Sequence, residues 1–372
     1  MKGRVVVAMS GGVDSSTAAW LLKQKGYEVI GATMCIGTPD RSETGGSRCC
    51  GFSDIEDARR VALQLGIPFY VFQFREEFEK EVIDYFCNEY QEGRTPNPCI
   101  LCNEKLKFGS FLKKAMELGA DYVATGHYAR LEPDEVSGQY LLKKGVDRRK
   151  DQSYVLFSLR QDQLRHTLFP LGELKKEEVR KMAFEADLRI HDKPESQEVC
   201  FIPEDSYHYF LSERLKDSAG PGPIIDREGK VLGRHKGIPF YTIGQRRGLR
   251  LAKGKPLYVI GIDRIKNAII VGEEREVYQD TFRVNSLNWI HLEEAKPSLN
   301  AQVKIRYNHP GAEAVLSPKG KDEWEVRFET AQKAVTPGQA AVFYDGDIVL
   351  GGGWIKEVRS YEFGVRSGKK DN

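Results

Sequence analysis

The chain has 372 residues, 40% hydrophobic and 30% charged, which exceeds one ordinary core and points to two or three domains. Its 56 basic and 54 acidic residues nearly cancel, so the overall charge announces no nucleic-acid partner. No stretch approaches the ~20 apolar residues of a membrane span, and MKGRVVVAMS has too short an apolar run for a signal peptide. The expected address is the cytoplasm, with no membrane association and a monomer in solution.

In chain order, Val5–Met9 is a short apolar run, followed by a glycine turn and a helix over Ser15–Lys25. Tyr27–Met34 predicts a second strand. Ser53 and Glu56 have the spacing of a capping box, opening a helix that ends near Leu65 and Gly66. Ile67–Phe74 predicts a third strand, and Asp121–Thr125 a fourth after a helix over Glu104–Leu118. Strand and helix in alternation imply an α/β fold with a doubly wound parallel sheet.

Near residue 205 the texture changes, and the breaker cluster AGPGP at Ala219–Pro223 marks a small central domain. From about Gln279 the pattern alternates strictly. Val303, Ile305 and Tyr307 share one predicted face, Trp324, Val326 and Phe328 another, and Asp345-Gly346 signals a hairpin. The expected division is 1–205, 206–276 and 277–372, the last a C-terminal β-barrel ending in a frayed tail at Ser367–Asn372.

The segment Ser10-Gly-Gly-Val-Asp-Ser-Ser16 lies between the first strand and first helix. Gly11 and Gly12 let backbone N–H groups approach an anion, the helix dipole favours negative charge there, and Ser10, Ser15 and Ser16 supply hydroxyls. The loop has no lysine, so it is not the GxxxxGK[ST] loop of ordinary nucleotide triphosphatases. It suits a retained AMP and a departing pyrophosphate. It resembles the signature SGGxDS of the PP-loop ATP pyrophosphatases, which implies ATP as cofactor and Asp14 as a holder of Mg2+.

Seven cysteines, an odd number at irregular spacing, argue against a secreted disulfide framework. Arg94–Asn103 reads RTPNPCILCN, and its prolines rigidify a loop presenting Cys99 and Cys102 ahead of a helix. A helix N-terminus lowers a thiol's pKa, so Cys102 is placed to be a thiolate. Cys200 lies in KPESQEVCFIP. Three readings stay open: half of a structural zinc site, an iron–sulfur cluster on Cys99, Cys102 and Cys200, or two thiols acting as nucleophile and sulfur carrier. Cys35 and Cys87 read as small hydrophobes, and Cys49 and Cys50 have no assignment.

Together SGGVDSS, NPCILCN, TGHYAR at Thr125–Arg130, KDQSYVLF at Lys150–Phe157 and SQEVCFI resemble the tRNA-specific 2-thiouridylases. The likeness continues through Gly233–Leu249, Arg306–Gly311 and Thr336–Asp347. It implies ATP-dependent adenylation of the C2 oxygen of a wobble uridine in tRNA, then sulfur transfer from a persulfide supplied by an upstream donor protein. By the same resemblance Cys102 is the nucleophile and Cys200 the persulfide carrier, which would leave either hydrosulfide or a Cys102–Cys200 disulfide. ATP contacts are implied at Ala8, Met9, Ser10, Gly11, Gly12, Val13, Asp14, Ser15, Met34 and Gly126. Contacts with tRNA are implied at Asn97, Pro98, Cys99, His127, Lys150, Asp151, Gln152, Arg306, Tyr307 and Gln339, and in the central domain. The basic stretches Lys143–Lys150 and Arg246–Lys255 suit phosphate contacts. Some members carry Asp where this chain has Cys99, so the carboxylate that would serve as general base is missing here.

Overall fold

The computed structural model describes residues 2–37, 52–193, 199–202, 207–215, 220–251, 255–291 and 298–358. Cys49, Cys50, residues 194–198 of the Cys200 motif, and the tail at 367–372 lie outside the described residues.

Val5, Val6 and Val7 have no polar face to offer water, and the strand they form, β1 (Arg4–Ala8), is fully covered over these three. A strand apolar on both sides belongs at the centre of a parallel sheet. β2 (Glu28–Cys35), β3 (Phe69–Gln73) and β4 (Tyr122–Ala124) join it. The chain then leaves the sheet as a hairpin, β5 (Ala129–Pro133) and β6 (Tyr140–Lys144), and returns as β7 (Thr167–Leu168). The order is β3-β2-β1-β4-β7, every pairing parallel.

The alternation of side chains along β1 supplies both faces. Val5 and Val7 pack with α1 (Val13–Gln24), α2 (Phe52–Gln64) and the Lys176–Glu185 helix. Val6 faces the opposite layer, among Phe74, Phe78, Phe86 and Phe111. The sheet is doubly wound, as the alternation of elements predicted.

Two boundaries differ from the sequence reading. Phe52 is already helical, so Ser53 sits inside the first turn of α2 instead of capping it. The helix expected from Glu104 starts at Pro98. Asn97 has extended backbone, its side chain accepts from the Cys99 N–H at 3.1 Å, and Pro98 occupies the first turn. The run continues as a π-helical stretch, Cys102–Ser110, and an α-helical end, Phe111–Glu117.

β8 (Gly222–Ile225), β9 (Val231–His235), β10 (Tyr258–Asp263) and β11 (Ala268–Gly272) form a small sheet in the order β10-β11-β8-β9 over Ile224, Val259, Ile269 and Val271. The last part contains β12 (Tyr278–Trp289), β13 (Leu299–Lys304), β14 (Ala312–Pro318), β15 (Glu323–Lys333), β16 (Ala340–Asp345) and β17 (Ile348–Val358). β12 pairs with both β15 and β17, which closes the six strands into a barrel and removes their free edges. Trp324, Val326 and Phe328 fill its interior as their spacing predicted. β13 stops at Lys304, however. Ile305 remains buried, while Arg306 and Tyr307 pass into a turn closed by His309 N–H donating to Arg306 O at 3.0 Å.

The hairpin β5–β6 does not stay with the parallel sheet. β6 pairs with β17 at Lys143 and Ile348, extending the barrel sheet to eight strands. Arg130 and Arg148 both bond Asp347 across this joint, at 2.6 Å. No helix among the described residues is long and apolar enough to cross a membrane.

Candidate active site

The loop after β1 is tied internally. Ser10 N–H donates to Ser15 Oγ at 3.1 Å, and Ser15 Oγ donates to Gly12 O at 3.2 Å. Gly11 holds φ +73°, and a Cβ there would lie 2.3 Å from Asp54 O. Gly12 is the N-cap of α1 with no side-chain cap bond, so the first-turn amides face outward from a helix start. Met9 is buried and continues the β1–β2 ladder, its N–H donating to Ala32 O. Gly126, just past β4, closes on the same turn: a Cβ there would meet Ser15 N at 2.8 Å and the Asp14 carbonyl carbon at 2.9 Å. Ala8, Val13 and Gly126 therefore lie at the carboxyl ends of β1 and β4, where ligands bind in such sheets.

Asp14 accepts from Lys176 Nζ at 2.7 and 2.8 Å and from Tyr128 OH at 2.7 Å. Lys176 is only 7% exposed. On the loop's other side, Lys193 Nζ donates to Gly11 O at 3.1 Å and pairs with Asp54 and Asp57 at 2.7 Å each. Sequence reading missed all three partners. Tyr128 lies inside TGHYAR, but Lys176 and Lys193 sit in charged stretches that look like solvated faces.

The thiols converge on one core. Cys102 packs on the apolar cluster of the sheet's second face, together with Met34 and with Val199 and Ile202, the neighbours of Cys200. Phe201 is part of that cluster, stacked edge-on against Phe78 and Phe86. Because the helix begins at Pro98, Cys99 occupies its first turn and Cys102 lies one turn further in, so the dipole argument applied to Cys102 moves to Cys99. Even there burial wins. Desolvation in the cleft, then the nearby Cys200 thiol, push the Cys99 thiol up, with Lys107 opposing. Cys99 and Cys200 are nonetheless solvent-accessible, and both are free thiols, as are Cys35, Cys87 and Cys102. Cys87 is buried and pushed up to about 11 by desolvation, the inert small hydrophobe its context suggested.

The residues implied to meet tRNA occupy distinct settings. His127 is buried between Phe108 and Phe169, its Nδ1 2.7 Å from Thr125 Oγ1. Asp151 is buried and accepts from Gly145 N–H and both the N–H and hydroxyl of Ser153, at 3.1 Å each. Gln152 Oε1 accepts from Tyr128 N–H at 3.0 Å. Tyr307 packs edge-on against Tyr154, and Arg306 donates to Lys333 O at 3.0 Å. A cavity of about 570 Å3 joins the Lys144–Asp151 segment to the barrel's Lys304–Pro310 turn. Its walls bring together Lys144, Arg148, Arg149 and Lys304, with Asp151 as the acidic member. Desolvation lowers both lysines from the usual ammonium range. Gln339 lies elsewhere, against the loop that leads to Cys99, where its Nε2 donates to Thr95 O at 2.8 Å.

Three family models match in succession: the tRNA methyl transferase HUP domain over 3–204, the tRNA methyl transferase PRC-barrel domain over 208–273 and the aminomethyltransferase beta-barrel domain over 279–355. The tRNA-specific 2-thiouridylase MnmA of Halothermothrix orenii is 53% identical over 95% of this chain and 99% of its own. Those of Clostridioides difficile and Carboxydothermus hydrogenoformans are 48% and 52% identical, over 96% and 95% of this chain and 99% and 98% of theirs. The chain belongs to the tRNA-specific 2-thiouridylase family. Among solved structures, a 4-thiouridine synthetase–RNA complex with bound ATP aligns at TM-score 0.34 and 19% identity over 58% of this chain and 51% of that one, too distant to decide anything further.

The thiouridylase site fits nucleotide phosphates on its own geometry. It has a glycine turn that a Cβ would fill, a helix start without a side-chain cap, and a buried Ser16 Oγ with no hydrogen-bond partner among the described residues. For Mg2+, Asp14 is the carboxylate at the turn that would hold the ion beside the phosphates, and its oxygens also accept from Lys176 and Tyr128. Among the described residues no group of three or more His, Cys, Asp or Glu side chains is arranged to hold a metal ion, and Cys99, Cys102 and Cys200 are all described.

Proposed function

We propose that the chain is a tRNA-uridine 2-sulfurtransferase of the cytoplasm, working as a monomer with three units at 1–205, 206–276 and 277–372. The observation that carries this reading is the meeting of two chemistries on one sheet. A phosphate-binding turn ends β1, and Met34, Cys102 and the segment around Cys200 pack together on the layer beside it.

In this reading Ala8–Ser15, Met34 and Gly126 hold ATP, while the Asn97–Cys99 loop, His127, Lys150–Gln152, Arg306, Tyr307 and Gln339 serve the tRNA. The C2 oxygen of the wobble uridine attacks the α-phosphorus of ATP, and pyrophosphate departs. Mg2+ at Asp14, when bound, neutralises phosphate charge. The helix start and the Ser10 hydroxyl hold the phosphates in place for in-line attack.

The second half is sulfur transfer. A donor protein of the persulfide class loads Cys200 with a second sulfur. The Cys102 thiolate attacks the inner sulfur of Cys200, forming the Cys102–Cys200 disulfide and expelling hydrosulfide. Hydrosulfide adds to C2, and AMP leaves with the original oxygen. A thiol reductant then resets both cysteines. Cys99 stands where a carboxylate base would be, and its raised thiol is a poor thiolate, so it does not replace that base. The Cys102 proton leaves to solvent.

The deciding experiment incubates the purified protein with ATP, Mg2+, unmodified tRNA and a persulfide source, and measures 2-thiouridine by nucleoside mass spectrometry. ATP-dependent 2-thiouridine with AMP released in equal amount is expected from protein containing neither iron nor sulfide. Absence of ATP-dependent thiolation, or activity only in iron-loaded protein, overturns the reading or its sulfur route respectively.

A further inference from the structure

Asp14 is held by two side chains, and both are anchored in the same distant segment. Lys176, whose ammonium bonds both Asp14 oxygens, begins its helix with its backbone N–H donating to Asp147 Oδ2 at 3.0 Å. Asp147 also accepts from Arg149 N–H at 3.1 Å, so the carboxylate that fixes Lys176 also shapes the loop carrying Arg148 and Arg149. The second holder, Tyr128, is gripped by the far end of that loop. Its N–H donates to Gln152 Oε1 at 3.0 Å and its carbonyl accepts from Gln152 N–H at 2.9 Å. Gly145 completes the grip, since a Cβ there would lie 2.8 Å from Tyr128 O. The segment 145–152 is thus linked to the phosphate-loop aspartate through Lys176 and through Tyr128, and Arg148, Arg149 and Asp151 of the segment line the cationic cavity.

We propose that Lys176 and Tyr128 are positioning residues that couple occupation of the cationic cavity by RNA phosphate to the nucleotide site through Asp14. The inference rests on the thiouridylase reading, and adds to it a link by which tRNA binding tightens ATP binding before adenylation. Phosphates seated on Arg148 and Arg149 restrain the loop. Asp147 then fixes the start of the Lys176 helix, and Gln152 fixes Tyr128. Asp14 and the Lys176 ammonium are left at defined positions beside the phosphate turn. A site ordered in advance binds its ligand with less loss of freedom. Because coupling free energy is reciprocal, each ligand must tighten the other by the same factor.

The test is a binding square with α,β-methylene ATP, which cannot donate AMP, and unmodified tRNA. Wild type is expected to bind the analogue about five-fold or more tighter with tRNA present, and tRNA tighter by the same factor with the analogue. Tyr128→Phe keeps the ring and removes only the hydroxyl, and Asp147→Ala leaves both direct partners of Asp14 in place. Each is expected to shrink the factor, and together they should bring it to one. Equal wild-type affinities with and without tRNA overturn the inference, as does an undiminished factor in the folded Tyr128→Phe protein. Thiolation by wild type is measured alongside. Activity without coupling sinks the inference alone, while wild type that neither binds nor thiolates tRNA sinks the functional reading and the inference with it.

Discussion

Gln339, in the turn before β16, donates from Nε2 to the carbonyl oxygen of Thr95 at 2.8 Å. Thr95 N–H returns a bond to Pro337 O at 2.9 Å, and its hydroxyl lies 3.1 Å from Thr242 Oγ1 in the central sheet region. Three residues separate Thr95 from Cys99, so the central sheet region and the barrel both grip the loop that leads into the thiol helix. Gly338 makes the approach feasible, since a Cβ there would lie 3.0 Å from Thr95 N.

Gln339→Ala should therefore act on chemistry as well as on tRNA affinity. Loss of one hydrogen bond of about 1 kcal/mol corresponds to roughly five-fold in kcat/KM. We expect part of that fall in single-turnover thiolation at saturating tRNA, where weaker binding alone has no effect. A single-turnover rate equal to wild type would confine Gln339 to RNA contact.

Cys200→Ser should abolish thiolation and preserve adenylation, because AMP transfer precedes sulfur delivery. Pyrophosphate release in the presence of tRNA is the readout, and full thiolation by this variant would remove Cys200 from the carrier role. Cys102→Ser should leave Cys200 able to accept labelled sulfur from a persulfide source. Failure of that loading would place Cys102 upstream of Cys200 instead.

The cationic cavity predicts a salt signature. Affinity for tRNA should fall steeply as salt rises, and Arg149→Ala should reduce the slope of log Kd against log salt by about one. Titrations at three or more salt concentrations measure this. An unchanged slope would mean that the cavity takes no backbone phosphate.

His127 gives a pH dependence with a definite sign. Burial first, and Lys107 second, hold its imidazole well below the usual value, so it is neutral in the folded chain. The unfolded chain takes up a proton as pH falls through about 6.5, and stability drops wherever the unfolded state binds more protons. The contribution is intact above that pH and is lost below it. Thermal midpoints measured from pH 8 to pH 5 should decline, and His127→Gln should flatten part of the decline. His235 and His309 are also lowered mainly by burial, so a residual slope remains.

The sequence made the parallel sheet legible because Val5, Val6 and Val7 leave a strand no polar side, and the barrel legible because Trp324, Val326 and Phe328 repeat at period two. The thiol helix was misread although its signal was present. Asn97 and Pro98 are an N-cap and a first-turn proline, but two prolines together suggested a rigid loop. Lys176 was not legible. It stands in LKKEEVRK beside Lys175, and nothing in the local pattern says which lysine turns inward. That choice is made by Asp14, 162 positions away. The departure of Arg306 and Tyr307 from β13 was hidden too, since apolar alternation persists through Ile305 after the ladder has ended.

The pairing of Lys143 with Ile348 also sets an order of events during synthesis. When β6 leaves the ribosome, its partner strand has yet to be translated, and at ~5–20 residues per second it arrives tens of seconds later. Through that interval the nascent N-terminal third carries an open strand edge that invites pairing with other chains. Charged side chains such as Arg130 and Lys144 are the kind that blunt such an edge, and Asp347 takes up Arg130 once the last strands are made.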